Sequence, residues 1–98
     1  MIYANPGSAG AILTLKPRYG NYIGGEFVSP VKGEYFVNTS PVNGSVIGEF
    51  PRSTAEDIER ALDAAHAAAD AWGRTPVAER ANILNRIADR MEANLELL

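Results

Sequence analysis

A strict apolar period near the C-terminal end constrains this chain more than any other feature. Val77, Ala81, Leu84, Ala88, Met91, Leu95 and Leu98 follow one another at alternating spacings of four and three residues, and Ile83 and Ile87 widen the stripe. Side chains so spaced share one face of an α-helix, and that face needs a cover to be stable. A second stripe precedes it: Ile58, Leu62, Ala65, Ala69 and Trp72, among Ala61, Ala64, Ala67, Ala68 and Ala71. Alanine favours helix and lets another backbone come close. Two helices are therefore expected from residue 53 onward.

Their ends carry local signals. Ser53-Thr54-Ala55-Glu56 has the form of a capping box, with the Ser53 hydroxyl accepting from the Glu56 amide and the Glu56 side chain reaching back. Glu56, Asp57 and Glu59 add negative charge at the positive end of the helix dipole, so the start falls near Thr54. Gly73 is placed to end this helix through a left-handed residue. Thr75 then caps the next one, with Pro76 at its first position, where a missing N–H costs nothing. Only Gly73, Arg74 and Thr75 separate the helices, a link that predicts an antiparallel or steeply angled pair.

The front of the chain reads differently. Tyr35 to Thr39 and Ser45 to Phe50 are β-leaning runs around Ser40-Pro41-Val42-Asn43-Gly44, a turn in which Pro41 presets φ and Asn43-Gly44 readily takes positive φ. Pro51-Arg52-Ser53 is expected to end the second strand. Upstream, Asn21-Tyr22-Ile23 and Glu26-Phe27-Val28 flank Gly24-Gly25, a pair suited to a two-residue hairpin turn. Residues 1–18 hold Pro6, Gly7, Gly10 and Pro17, which resist a helix and predict an extended arm that lies on something else. The division expected is thus an arm over 1–18, short β-hairpins over 19–52 and a two-helix segment, an α-helical hairpin, over 53–98.

Composition excludes several classes. The 98 residues fit one small domain or part of a larger one, and 46% apolar content excludes wholesale disorder. A net charge of −3 with interspersed signs declares no basic face, so no nucleic-acid partner is expected. The run Ala9 to Leu15 has no preceding Lys or Arg and is broken on approach by Pro6 and Gly7, unlike a signal peptide. No stretch reaches the roughly 20 apolar residues that span a bilayer, so no membrane partner is expected either. The sequence has no cysteine, hence no disulfide, thiolate metal site or thiol nucleophile, which is compatible with a cytoplasmic chain.

Candidate chemistry has plain alternatives. His66 stands alone among alanines and reads as a helix-surface residue. Glu56, Asp57, Glu59 and Asp63 could form an acid/base pair or a cation site, but capping and dipole effects already explain them. Arg80, Arg86 and Arg90 could meet a phosphate; Asp89 between the last two describes a solvated face or ion-pair network instead. Gly20, Gly24 and Gly25 lack the spacing of a dinucleotide fingerprint and read as turn glycines. No catalytic or cofactor-binding residue is assigned.

Tyr22-Ile23-Gly24-Gly25-Glu26-Phe27, Ser40-Pro41-Val42-Asn43-Gly44, the capped helix to Trp72, and Glu79-Arg80 through Ile83-Leu84 to Ile87-Ala88 together resemble the start of an NAD(P)-dependent aldehyde dehydrogenase. The ordered set carries the resemblance, over about Tyr19 to Leu98. The arm and Phe50-Pro51-Arg52-Ser53-Thr54-Ala55-Glu56-Asp57 are most similar to the bacterial acetaldehyde-oxidising branch. One departure is Ser40, where the family usually has Asn in an N-P-x-[ND]-G turn; serine makes a similar, weaker side-chain turn.

The resemblance implies an α/β parent with a Rossmann-like coenzyme domain, of which this chain supplies the N-terminal edge and first two helices. It implies oxidation of an acetaldehyde-like substrate to the acid with NAD or NADP, through a cysteine nucleophile and a glutamate base. It implies no coenzyme bound by this segment alone, the remainder of the enzyme as its partner, and a homo-oligomer, commonly a dimer or tetramer. It also implies a structural monovalent cation held by backbone oxygens that map to Asn38 and Thr39.

The last helical pattern stops at Leu95, Leu97 and Leu98 without a glycine or proline, which predicts truncation. Each buried Leu or Ile contributes roughly 1.5–3 kcal/mol, and this stripe exceeds what one alanine-rich helix and short hairpins can cover. A rival reading from another class is a free-standing interaction module that docks on a partner through Leu84, Met91, Leu95 and Leu98.

Overall fold

The structure, a computed structural model, describes residues 3–98; the first two residues of the predicted arm lie outside them. The order is β1 (Asn21–Ile23), β2 (Glu26–Val28), β3 (Tyr35–Thr39), β4 (Val46–Pro51), α1 (Ala55–Gly73) and α2 (Val77–Ala93). Each consecutive strand pair forms its own antiparallel hairpin.

In the first hairpin Ile23 faces Glu26, so Gly24 and Gly25 alone make the turn, at φ 63° and 88°. Gly20 departs from the expected turn role. Its φ is not positive, and a Cβ there would sit 2.9 Å from the Val28 carbonyl oxygen. It is glycine because the end of β2 passes directly over it.

The second hairpin runs one residue later than its sequence suggests. Ser45 belongs to the turn, where its N–H and hydroxyl donate to the Asn43 Oδ1 at 3.0 and 2.7 Å. Ser40 makes the side-chain turn expected of it, its Oγ accepting from the Val42 amide at 3.2 Å. At the far end Pro51 stays in β4 opposite Tyr35. The next residue, Arg52, donates its N–H to the Glu34 carbonyl at 2.8 Å. Hydrogen-bonded pairs alternate along an antiparallel ladder, so Pro51 falls at a position where no N–H is needed.

The arm joins this hairpin on its other side. Tyr19 donates to the Glu49 carbonyl and Glu49 to the Pro17 carbonyl, both at 2.9 Å, which lays 17–19 parallel to β4. Tyr19 stacks on Phe50 with ring centres 5.0 Å apart, Phe36 packs against Phe50 at 6.1 Å, and the Arg18 guanidinium lies 4.0 Å over the Tyr35 ring. Farther back, the Tyr3 hydroxyl donates to the Glu96 carboxylate at 2.9 Å and ties the arm to the end of the chain.

Both helix starts shift from their predicted caps. α1 is capped by Thr54, not Ser53, and the carboxylate that reaches back is that of Asp57, not Glu56. Ser53 is otherwise engaged: its hydroxyl accepts from the Asn21 Nδ2 at 2.9 Å. Thr75 does not cap α2. Its hydroxyl donates to the Ala71 carbonyl at 3.1 Å, and Pro76 takes the cap position. That bond, with the Arg74 and Thr75 amides donating to Asp70 and Trp72, satisfies the last carbonyls of α1. Gly73 therefore has no left-handed role, and Arg74 closes the helix at φ −90°.

Among the described residues no hydrophobic side chain is buried. The radius of gyration is 17.8 Å, against about 13 Å for a compact chain of this length. The α1 helix packs on β1 through its alanine side, with Ala61 and Ala64 half-buried, while Ile58, Leu62 and Trp72 stay exposed. The helices make almost no contact with each other. In place of the expected helical hairpin stand two splayed helices, whose apolar stripes approach each other only at the link.

Candidate functional site

The most constrained polar group is Asp57, 3% exposed in a structure whose core is otherwise open. One carboxylate oxygen accepts from the Val31 amide at 2.8 Å, and the other accepts from the Thr54 amide at 2.8 Å and from the Thr54 hydroxyl at 3.3 Å. The Thr54 amide bond lowers the pKa most, the Val31 amide next; burial opposes them, and the Thr54 hydroxyl and Arg60 charge add to the lowering. The carboxylate is thus held ionised as a joint between the loop before β3 and the start of α1. Its donors are all used by the fold, so it is a structural anion.

The other candidates do not converge on it. Glu59, Asp63 and His66 lie exposed on α1, and Glu56 pairs with Arg60 at 3.2 Å. Arg86 and Arg90 lie exposed on α2 and form no ion pair among the described residues, which leaves the solvated face of the two readings weighed for them. No group of three His, Cys, Asp or Glu among the described residues is placed to hold a metal ion. Asn38 and Thr39 end β3 at an irregularity in its register, both exposed, with the Asn38 Oδ1 accepting from the Thr39 amide at 2.9 Å.

Where α1 turns into α2, Trp72, Val77, Arg80, Ala81, Ile83, Leu84 and Ile87 line an open apolar groove of about 530 Å³. Within it the Arg80 Nε is shielded from solvent and has no hydrogen-bond partner among the described residues. The sequence marks Arg80 only as one basic residue among several; the groove exists because the short link juxtaposes two stripes. From Trp72 the uncovered surface continues along α2 through Met91 to Leu95 and Leu98, the last 80% exposed.

The geometry offers an anchoring carboxylate and a large uncovered apolar face, and the sequence holds no thiol nucleophile. Residues 27–98 match the aldehyde dehydrogenase family. The chain belongs to that family. Over all 98 residues it is 79% identical to an acetaldehyde dehydrogenase of Pseudomonas aeruginosa, covering 19% of that protein. It is 55% identical over 94 residues to a fluoroacetaldehyde dehydrogenase of Streptantibioticus cattleyicolor, covering 96% of this chain and 18% of that one. The crystal structure of an NAD-dependent aldehyde dehydrogenase from Sinorhizobium meliloti superposes on 98% of the chain and 20% of its own, with a TM-score of 0.77 at 33% identity. The chain thus spans about a fifth of the length of these aldehyde dehydrogenases. No helix of its described residues is long and apolar enough to cross a membrane.

Proposed function

We propose that the chain serves as the N-terminal scaffold of an NAD(P)-dependent aldehyde dehydrogenase that oxidises acetaldehyde or a close analogue to its acid. One observation carries this reading: a chain with no buried hydrophobic residue among those described matches relatives along its whole length but covers only 19% of theirs. Residues 53–98 then form the start of a Rossmann-like coenzyme domain, 19–52 its hairpin edge and 1–18 an arm laid along it. The splayed helices suit that role, since each would cover the parent domain with a separate face. The enzyme is read as cytoplasmic, with which a segment free of cysteine is compatible, and as the homo-oligomer that the family resemblance implies.

The nicotinamide, when bound, accepts a hydride from the substrate carbon. Residues of this chain touch neither; they hold the outer helices and hairpins in place, with Asp57 fixing the joint between them. Asn38 and Thr39 are assigned the backbone ligation of a structural monovalent cation. The fit is reasonable on one count: β3 has a strand partner on one side only, and alternate backbone oxygens of such a strand face away from that partner.

The test is to read the coding frame past Leu98 and assay its product. A frame continuing into a cysteine-bearing segment is expected, with the full product reducing NAD on acetaldehyde and the 98-residue chain inert. A stop codon directly after Leu98 would favour the docking module, whose support is the same exposed Leu84, Met91, Leu95 and Leu98. Turnover by the isolated chain would overturn the scaffold role.

A further inference from the structure

We propose that Asn43 is a site of spontaneous deamidation, converting in the folded protein to a mixture of aspartate and isoaspartate. Asn43-Gly44 is the only Asn-Gly pair in the sequence, and it occupies the exposed turn between β3 and β4. The reaction needs a backbone nitrogen free of neighbouring bulk, an electrophilic amide carbon next to it and an unhindered leaving group.

Each requirement is met at this turn. Gly44 has no side chain to obstruct its nitrogen, and nothing lies within 4 Å of where a Cβ would stand. Its φ of 71° is one that glycine adopts without strain. The Asn43 Oδ1 accepts two hydrogen bonds from Ser45, at 3.0 and 2.7 Å, which draw electron density from Cγ. The Asn43 Nδ2 makes no hydrogen bond among the described residues and faces solvent. One contact opposes the reaction: the Gly44 amide donates to the Ser40 carbonyl at 2.8 Å and must open first. An exposed bond of this kind exchanges readily for one to water, so it does not close the path.

The other asparagines lack the combination. Asn5 precedes Pro6, which has no N–H. Asn21 and Asn94 have their Nδ2 tied to Ser53 and to the Arg90 carbonyl. Asn38 accepts from the very nitrogen that would attack it and is followed by β-branched Thr39. Asn82 and Asn85 lie inside α2, where the next amides belong to the helix ladder.

The chemistry closes with water as the one co-reactant. The Gly44 nitrogen bonds to the Asn43 Cγ, the Cγ–Nδ2 bond breaks, and ammonia leaves with the displaced proton. Water then opens the succinimide at either carbonyl. One product carries a new carboxylate at the turn; the other also routes the backbone through an extra methylene, lengthening the connection between β3 and β4.

The test is peptide mapping after incubation of the purified protein in mildly alkaline buffer, beside the same protein unfolded in urea. Aspartate and isoaspartate are expected at Asn43 in both, with the other asparagines intact in the folded sample. In urea, where strain at the turn no longer counts, Gly44→Ala is expected to slow conversion several-fold. Asn43 remaining amidated in the folded protein over a period that converts it in urea would overturn the proposal. So would equal conversion rates for Gly44→Ala and the parent in urea.

Discussion

The Asp57 carboxylate accepts a hydrogen bond from the Val31 amide at 2.8 Å, across 26 residues of sequence. The same carboxylate closes the first turn of α1 on Thr54. One anion therefore fixes both where the helix begins and where the loop leading to β3 lies. In a structure without a buried apolar core, such polar joints set the relative placement of elements.

Replacing Asp57 is expected to loosen that joint. Asp57→Ala leaves the Val31 and Thr54 amides without their acceptor, so it should lower stability more than Asp57→Asn, which keeps one oxygen. Because the folded pKa is lowered, the carboxylate's contribution is complete above the ordinary aspartate pKa and is lost as pH falls through the folded value. Denaturant titrations of the enzyme carrying this segment, repeated across the acid range, should show a decline in the parent that Asp57→Asn lacks. Parallel curves for the two proteins would remove Asp57 as the source.

Two glycine replacements should act in opposite directions. A Cβ at Gly20 meets the Val28 carbonyl at 2.9 Å, so Gly20→Ala must displace the end of β2 and should cost about 1–3 kcal/mol. Gly73 has open space and no positive φ, so Gly73→Ala should stabilise by about 0.4–1 kcal/mol. Urea midpoints measured side by side distinguish them.

The apolar stripe of α2 predicts an effect that depends on context. Leu84 is 67% exposed here, so Leu84→Ala should barely change the helicity of the isolated chain. In an enzyme whose remaining domains cover α2, the same change should cost about 2–5 kcal/mol. The isolated chain should also bind a hydrophobic dye. Weak dye binding with a cooperative monomer melt would mean that the stripe is already covered.

Arg18 combines an ion pair to Glu49 at 2.7 Å with its position over Tyr35. Both partners are substantially exposed, so Arg18→Ala should cost no more than about 1 kcal/mol, and less at high salt. A salt series of thermal melts reads this directly.

What the sequence makes legible is local. Gly24-Gly25 specifies its turn without help from afar, and the apolar periods mark both helices, although α2 ends at Ala93 while its period runs on to Leu98. The α1 cap is ambiguous because Ser53 with Glu56 and Thr54 with Asp57 satisfy the same pattern one residue apart. The choice is made by distant partners, since Asn21 occupies Ser53 and Val31 occupies Asp57. Gly73 misleads for a related reason: the Thr75 hydroxyl takes a carbonyl that a left-handed cap would otherwise serve. The proposed cation ligands at Asn38 and Thr39 involve backbone oxygens, which leave no trace in residue type.

The thinness of this segment, 18 Å along its shortest axis, bears on how a longer enzyme is made. Synthesis runs from the N-terminus, so this portion would leave the ribosome before any surface that could shelter its leucines. It would have to wait, its helices formed but sticky, until later parts of the polypeptide arrive to clasp it. In the scaffold role proposed above, chaperones would meet these bare helices during translation.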